Sequence, residues 1–366
     1  MRHARFDKQL VILLVTLVGG GAMIFASAAF GLVGRGATHI SSVVFNHMVL
    51  GVGLGVVALI ATTAIDYRIW RTYAPYLFGA ALLITVAVFL PQIGFEHGGG
   101  RRWLSILGFT FQPSETLKIG TVLLAAAYFA SIKHGAAQFQ AGLVGFILII
   151  ALPAIVLFLQ PDIGTLGVIG ISVFAVYAAA GARMRDVAIV ILLGLIAVGF
   201  LAATQPYVRD RVTTFLDPSQ GEQRESYQIR QSLIAIGSGG FAGRGFGQGI
   251  QKFTYLPEPM GDSIYAVAGE ELGFIGAATI VALFTAFALR GLAIASRAPD
   301  LFGSLLAVGI SVYLGAEALI NIAAMLGLMP LTGIPLTFIS QGGSAMLVSL
   351  GSAGILLNIS RHRRAR

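Results

Sequence analysis

Residues 187–204 read Val187-Ala188-Ile189-Val190-Ile191-Leu192-Leu193-Gly194-Leu195-Ile196-Ala197-Val198-Gly199-Phe200-Leu201-Ala202-Ala203-Thr204, an apolar run without a single charge. Coiled into a helix it reaches about 27 Å, close to the ~30 Å of a bilayer's hydrocarbon core. A long polar stretch follows, 205–262, and the apolar pattern then resumes at 263–289. Lipid offers no partner for open backbone, so runs of this kind must be helices. Working outward, the same pattern recurs at about 9–33, 42–65, 74–91, 115–132, 141–159, 165–181, 304–326 and 342–359. The expectation is an all-α polytopic membrane protein with ten transmembrane helices. It forms a single domain over 1–366, with one large extracytoplasmic loop, 205–262, between helices seven and eight.

Composition agrees. The chain is 56% hydrophobic and 11% charged, whereas soluble proteins carry about 25% charged residues. Its lack of cysteine rules out disulfides and thiol ligands. The net charge of +8 does not indicate nucleic acid, because no long basic stripe is interleaved with aromatics. Instead the basic residues fall between apolar runs. With the N-terminus in the cytoplasm, the cytoplasmic segments hold 14 Lys or Arg and the short outer loops hold 3, namely Arg35, Arg101 and Arg102. This is the positive-inside pattern, and ten crossings return the C-terminal Arg361-His362-Arg363-Arg364-Ala365-Arg366 to the cytoplasm, against anionic headgroups. Basic Met1–Lys8 and the small-x-small Ala26-Ser27-Ala28 resemble a cleavable leader, but the apolar stretch between them is longer than a signal core, so it reads as a span.

The unusual residues gather in three outer segments: about 92–114, Gln160-Pro161-Asp162-Ile163-Gly164, and 205–262. The last is too long for a plain connection. Val208, Val212, Phe215 and Leu216 recur at helical spacing, and Ser219-x-x-Glu222 matches a capping box before a second helical segment at about Glu225–Ile236. Helices of this type lie on a membrane surface. The loop ends in Tyr255-Leu256-Pro257-Glu258-Pro259-Met260-Gly261-Asp262-Ser263. A carboxylate at a membrane edge is costly unless it is wet, paired or useful. Asp262 reads either as a general base or as the N-cap of helix eight, and residue type alone does not separate the two.

Other polar residues carry the same ambiguity. Glu115 and Lys118, spaced i,i+3, share a helix face as a structural ion pair or as the wall of a polar cavity. Asp162, between Pro161 and Gly164, is turn chemistry or part of a site. Arg101, Arg102 and Trp103 follow Gly98-Gly99-Gly100; they read as interfacial anchors or as an anion-binding fork. Gly243-Arg244-Gly245-Phe246-Gly247-Gln248-Gly249 lacks the flanking strand and lysine of a nucleotide loop and reads as a turn or hinge. Of the adjacent Glu270 and Glu271, helical geometry lets one at most point squarely inward. Glu317 and Asn321, i,i+4, are placed to hydrogen-bond within the bundle. The six histidines include no close pair with zinc-ligand spacing.

Taken in order, several motifs resemble the SEDS family of bacterial cell-wall synthesis (shape, elongation, division and sporulation). They are Gly100-Arg101-Arg102-Trp103, Phe111-Gln112-Pro113-Ser114-Glu115 with Lys118, and Gln160-Pro161-Asp162-Ile163-Gly164-Thr165. Further on come Gly237 to Gly245, Leu256-Pro257-Glu258 with Asp262 and Glu270-Glu271-Leu272-Gly273, and Gly333 to Ser344. The resemblance covers all ten expected helices. Gln251-Lys252 and the Pro335–Ser344 segment are more similar to the division branch, FtsW, than to the elongation branch, RodA. Two departures stand out: Gly261-Asp262-Ser263 where the family has Thr-Asp-Phe, and Ser340-Gln341-Gly342-Gly343 where it has Ser-Tyr-Gly-Gly.

The resemblance implies a peptidoglycan glycosyltransferase of the bacterial cytoplasmic (inner) membrane that polymerises lipid II on its extracytoplasmic face. Asp262 would be catalytic, activating the acceptor GlcNAc 4-hydroxyl for attack on the donor MurNAc with inversion as undecaprenyl pyrophosphate leaves. Arg101, Arg102 and Lys118 would offset its charge. Glu115, Asp162, Ser340 and Gln341 would shape the cavity. A divalent cation, Mg or Mn, would assist, and a class B penicillin-binding protein would crosslink the product and activate the enzyme. A lipid II flippase is the alternative, and it would need polar residues toward both membrane faces.

Overall fold

The computed structural model describes residues 6–34, 40–90, 93–97, 100–106, 109–132, 136–217 and 224–362. The capping box Ser219–Glu222, Gly98-Gly99 and Arg363–Arg366 lie outside the described residues. Each expected apolar run coincides with a helix. Helix α1 is Lys8–Gly34. The second run is α2 (Ile40–Phe45), a π-helical stretch (Asn46–Gly53) and α3 (Leu54–Ala64). Then follow α4 (Tyr67–Val86), α5 (Pro113–Ser131), α6 (Gly145–Leu159, entered through π-helical Gln140–Val144), α7 (Ile163–Ala179) and α8 (Met184–Thr204). The loop region holds α9 (Pro206–Leu216), α10 (Arg224–Ser238) and α11 (Gln251–Thr254). Helices α12 (Ile264–Ala295), α13 (Leu301–Met325) and α14 (Gly343–Arg361) complete the chain. Among the described residues eight segments are long and apolar enough to cross a membrane; α7 is apolar but shorter, and α5 carries Glu115 and Lys118.

The all-α expectation needs one amendment. Segment 94–111 forms a three-stranded antiparallel sheet, β1 (Gly94–His97), β2 (Gly100–Ile106) and β3 (Phe109–Phe111), in the order β1-β2-β3. Open strand edges are excluded from lipid, and this sheet sits in the connection between α4 and α5. Its β2 carries Arg102, whose side chain donates to the carbonyls of Gln160 and Pro161 at the start of α7.

The long loop does more than lie on a surface. At the top of α10, Gln228 Nε2 donates to Ser263 Oγ at 3.0 Å; lower down, Ile236 abuts Gly269. Thus α10 descends beside α12, and the chain turns at 239–250 and climbs back through α11 to Asp262. The turn meets α12 at a break. Gly273 has φ 66° and ψ −164°, outside the helical region. A break deep in a bundle strands backbone groups that lipid cannot satisfy. Here the glycine-rich turn supplies them: the amides of Arg244 and Gly245 donate to the carbonyls of Glu270 and Glu271, both at 3.0 Å. In return the amides of Phe274 and Ile275 donate to Gly240 and Phe241, at 2.9 and 3.2 Å. The turn reading of the 243–249 motif therefore holds.

That turn also explains why Glu270 and Glu271 are both buried, against the expectation that one at most points inward. It wraps α12 and offers a partner on each side. Glu270 accepts from the amides of Ile250 and Gln251; Glu271 pairs with Lys252 at 2.5 Å and accepts from Ser27 of α1. At the other end of the bundle, Arg290 forks onto Asp7 (2.9 and 2.6 Å), Ser360 Oγ accepts from the Asp7 amide, and Tyr67 bonds Asp300.

A Cβ at position 273 would stand 2.2 Å from the Gly243 nitrogen, in a backbone region that L-residues disfavour. Gly273→Ala is expected to destabilise the protein by well over about 1 kcal/mol. Gly170→Ala, in open space within α7, is expected to be neutral or slightly stabilising. Thermal unfolding of the two variants in the same detergent checks this.

Candidate active site around Asp262

Two segments that dip into the bundle and return meet at Asp262: the α10–α11 hairpin and the non-helical stretch 327–342. The meeting is hydrogen-bonded throughout. Ser340 Oγ donates to the Gly261 carbonyl at 2.7 Å, and the Gln341 amide donates to Met260 O at 2.7 Å. Asn321 Nδ2, from α13, donates to both Asp262 O (2.9 Å) and Ile334 O (2.8 Å). Glu258, in the left-handed region at φ 43°, presents its carbonyl to the amides of Gly261 and Ser263. Asp262 is not the helix cap. The N-cap position of α12 is Ser263, and no side chain caps it. The Asp262 carboxylate is free for other work.

Its electrostatic setting suits a base. Burial pushes the carboxyl up from 3.8 to about 6 and the Glu258 carboxylate adds to this; the guanidinium groups of Arg211 and Arg102 pull the other way. Arg211, on α9, stacks its guanidinium on Tyr207 at 4.1 Å and pairs with Glu225 of α10 at 3.1 Å. A Cβ added to Gly333 (φ 69°) would lie 3.7 Å from both Arg211 Nη2 and Asp262 Oδ2, so glycine there leaves the space between them open. Arg211 did not stand out among the basic residues of the long loop. Only the path of α9 brings it to the aspartate.

The structure sorts the other expected residues. Arg102 lies within electrostatic reach of Asp262 and keeps N–H donors beyond the two spent on Gln160 and Pro161. Arg101, next along the strand, projects to the opposite face and is exposed. Asp162 caps α7 through the Thr165 amide at 3.3 Å and accepts from Ser114 Oγ at 3.3 Å. Gln341 is exposed, so its difference from the family tyrosine leaves the packing intact. Ser263 is fully buried, and its hydroxyl accepts the Gln228 bond, which a phenylalanine could not.

Lys118 departs from the expected role opposite a leaving pyrophosphate. It is 2% exposed, held by Glu115 at 2.9 Å and Glu317 at 2.6 Å, and lies 5.2 Å from the Tyr313 ring centroid. A lysine enclosed this way has no surface to offer an anion. Glu317 and Asn321 do not serve each other: the first holds Lys118, the second the Asp262 backbone. Among the described residues no group of three or more His, Cys, Asp or Glu is placed to hold a metal ion.

These features define a polytopic membrane protein with a carboxylate and two arginines facing one another at one end of its helix bundle. The cell cycle protein family model of FtsW, RodA and SpoVE matches residues 8–365, and the chain belongs to this family. It is 38% identical over 319 residues to the stage V sporulation protein E of Bacillus subtilis, covering 87% of each chain. It is 34% identical to a probable peptidoglycan glycosyltransferase FtsW of Geobacter sp. (strain M18), over 100% of this chain and 99% of that one. Among solved structures, a peptidoglycan synthase complex coordinating polymerization and crosslinking contains a chain that matches with TM-score 0.78 and 26% identity, over 97% of this chain and 98% of that one. The Thermus thermophilus rod shape determining protein RodA matches with TM-score 0.71 and 26% identity, over 99% and 98%.

Removing Lys118 leaves two buried carboxylates without their counter-charge. Lys118→Met is expected to cost about 3–5 kcal/mol of stability, read as a lowered unfolding temperature. Arg101→Ala is expected to leave it unchanged.

Proposed function

We propose that this protein is a peptidoglycan glycosyltransferase that polymerises lipid II. It would act at the outer face of the bacterial cytoplasmic membrane, with ten crossings and both termini in the cytoplasm. The observation that carries the reading is Asp262: half-buried, not consumed as a cap, and faced by two arginines from separate outer segments. In its ionised form it takes the proton of the acceptor GlcNAc 4-hydroxyl. That oxygen forms a bond to the anomeric carbon of the donor MurNAc as the bond to the pyrophosphate oxygen breaks, with inversion. Undecaprenyl pyrophosphate leaves with the electron pair. Arg102 and Arg211 are preorganised, the first by two carbonyls and the second by Tyr207 and Glu225, so their charge is in place when the leaving group develops its own. A divalent cation, Mg or Mn, enters this scheme only as a counter-ion carried by the pyrophosphate, because the chain offers no cluster of ligands for it among the described residues.

Two further features support the reading. Below Lys118 the buried face of α5 continues as Thr121, whose hydroxyl is spent on the Leu117 carbonyl, and then Val122, Ala125, Ala126 and Phe129. That apolar floor suits a polymerase working from one face better than a flippase, which must pass a polar headgroup. Along α12 runs an apolar groove of about 740 Å³ beneath α10, lined by Ile236, Tyr265, Phe274, Ala278, Ala282 and Leu289. Ala278, Ala282 and Ala286 recur every four residues, the spacing that lets a second helix approach closely. We assign this groove to the transmembrane helix of a class B penicillin-binding protein.

Reconstituted with lipid II, Asp262→Asn is expected to lose glycan synthesis by about 10²–10⁴-fold at unchanged expression. Wild-type kcat/KM should fall as pH drops through about 6, because a base must be ionised to work. Full activity of the asparagine variant would remove Asp262 from the mechanism. Ala282→Trp should keep basal synthesis and lose both co-purification with, and stimulation by, the transpeptidase.

A further inference from the structure

The buried cluster on α5 and α13 does not balance. Glu115 and Glu317 bring two carboxylates to the single ammonium of Lys118, and all three are 1–2% exposed. The groups facing Glu317 are Lys118 and Glu115 on α5 and Asp162 at the head of α7, which adds repulsion rather than relief. Tyr313, one turn away, bears on Lys118 through its ring, and its hydroxyl lies 3.4 Å from Ser349 Oγ of α14. An uncompensated charge in such a place is strongly disfavoured, and two carboxylates sharing one counter-ion are brought to balance by a proton. The unused oxygens fit this account. Glu115 Oε2 and Glu317 Oε2 are buried and lack a hydrogen-bond partner, although Glu115 Oε2 lies 2.9 Å from the ammonium. Two more such atoms lead toward Asp262. Asn321 Oδ1 is one helical turn beyond Glu317, on the residue that holds the Asp262 backbone. Thr332 Oγ1 belongs to the neighbour of Gly333, which lies beside the Asp262 carboxylate. Buried polar atoms left over in this way are where bridging waters reside.

We propose that the Glu115–Lys118–Glu317 triad carries one exchangeable proton beyond that of Lys118, shared by its two carboxylates, and serves as the internal proton acceptor for Asp262. The inference rests on the polymerase reading. When the acceptor hydroxyl attacks, its proton passes to Asp262. If it stays there, the base is spent for the next sugar. Between turnovers the triad, itself enclosed, releases its own proton along the Asn321–Thr332 line to the departing pyrophosphate or to solvent at the Asp262 end. It then takes the proton of Asp262 along the Asn321–Thr332 line, restoring the ionised base. The count closes: one proton leaves the hydroxyl, one reaches pyrophosphate or solvent, and no other reagent is consumed. Glu115, Lys118 and Glu317 thus act through Asp262 as positioning and relay residues and do not touch the sugar.

The test uses the full-length protein in lipid nanodiscs. In an Asp262→Asn background, infrared spectroscopy at neutral pH should show the carbonyl stretch of a buried protonated carboxyl. It should disappear in the added Glu115→Gln, Glu317→Gln pair. With lipid II and Asp262 intact, Glu317→Gln keeps an oxygen to accept from Lys118 but cannot carry the proton. Its kcat should fall about 10²-fold with KM unchanged and recover partly with added formate or imidazole. Absence of the infrared band overturns the proposal, as does wild-type kcat in both single glutamine variants. So does a loss of kcat that tracks a loss of thermal stability and is not rescued, because a purely structural pair behaves that way. If the wild type itself makes no glycan while the band is present, the polymerase reading fails and the proton store stands without that use.

Discussion

Four backbone hydrogen bonds hold the break in α12: Arg244 and Gly245 to the carbonyls of Glu270 and Glu271, and Phe274 and Ile275 to those of Gly240 and Phe241. In water such a break costs little, because solvent replaces what the helix loses. In a lipid-solvated bundle each unmatched group costs several kcal/mol, so the glycine turn and the break stand or fall together. The glycines are a steric requirement. Gly243 and Gly273 have positive φ, and a Cβ on either would fall within about 2.2 Å of the other segment's backbone. Once the turn is docked, α10 is committed to a path beside α12, and the chain must return to the end of the bundle from which α10 set out, with Asp262 at its tip.

Charge follows the same logic. Glu271 and Lys252 meet at 2.5 Å inside the hairpin, and Glu270 accepts from the amides of Ile250 and Gln251 with Arg244 Nε 3.7 Å away. Asp162 is met by a hydroxyl and an amide. These are buried charges made tolerable by complete pairing. Asp262 and the Lys118 triad differ. The first has cations in view but no side-chain hydrogen bond of its own, and the second has more carboxylate than ammonium. Asp186, buried in the first turn of α8, also keeps one oxygen without a hydrogen-bond partner, but its other oxygen pairs with Arg185; Asp262 and the triad lack that one-to-one balance, and incomplete groups are the ones able to change protonation state.

The apolar runs made the helices legible, because spanning a membrane demands length and hydrophobicity together. Helix α4 starts earlier than its run, at Tyr67, because Asp66 caps it through the Arg68 amide at 3.0 Å and the polar first turn lies outside the hydropathy signal. The strands were hidden in a stretch too short and glycine-rich for periodicity to register. Site residues whose oddity is local, Asp262 and Arg102 among them, were legible as costly residues in costly places. Those whose meaning depends on tertiary path were not. Arg211 is one arginine among several in its loop, and the bond from Lys118 to Glu317 joins residues 199 positions apart. The motif resemblance carried the function; the ion triad, the re-entrant hairpin and the buried Lys252 needed coordinates.

The two ends of the bundle are built to different rules. At the end bearing the termini, Asp7, Arg290 and Ser360 clasp α1, α12 and α14, while Tyr67 and Asp300 join α4 to the α12–α13 connection. Partial burial pushes the Asp300 carboxyl up, but the Gly303 amide, the Tyr67 hydroxyl and the Arg68 guanidinium together hold it below its usual range. At the Asp262 end the two arginines lie on α9 and β2 and the aspartate on a re-entrant turn, while the buried triad stands on α5 and α13. Helix α8, which leads into α9 and Arg211, buries only Asp186 in its first turn and turns the remaining residues outward. The clasp at one end joins through-going helices directly, whereas at the Asp262 end α9 and β2 bring their arginines in from connections.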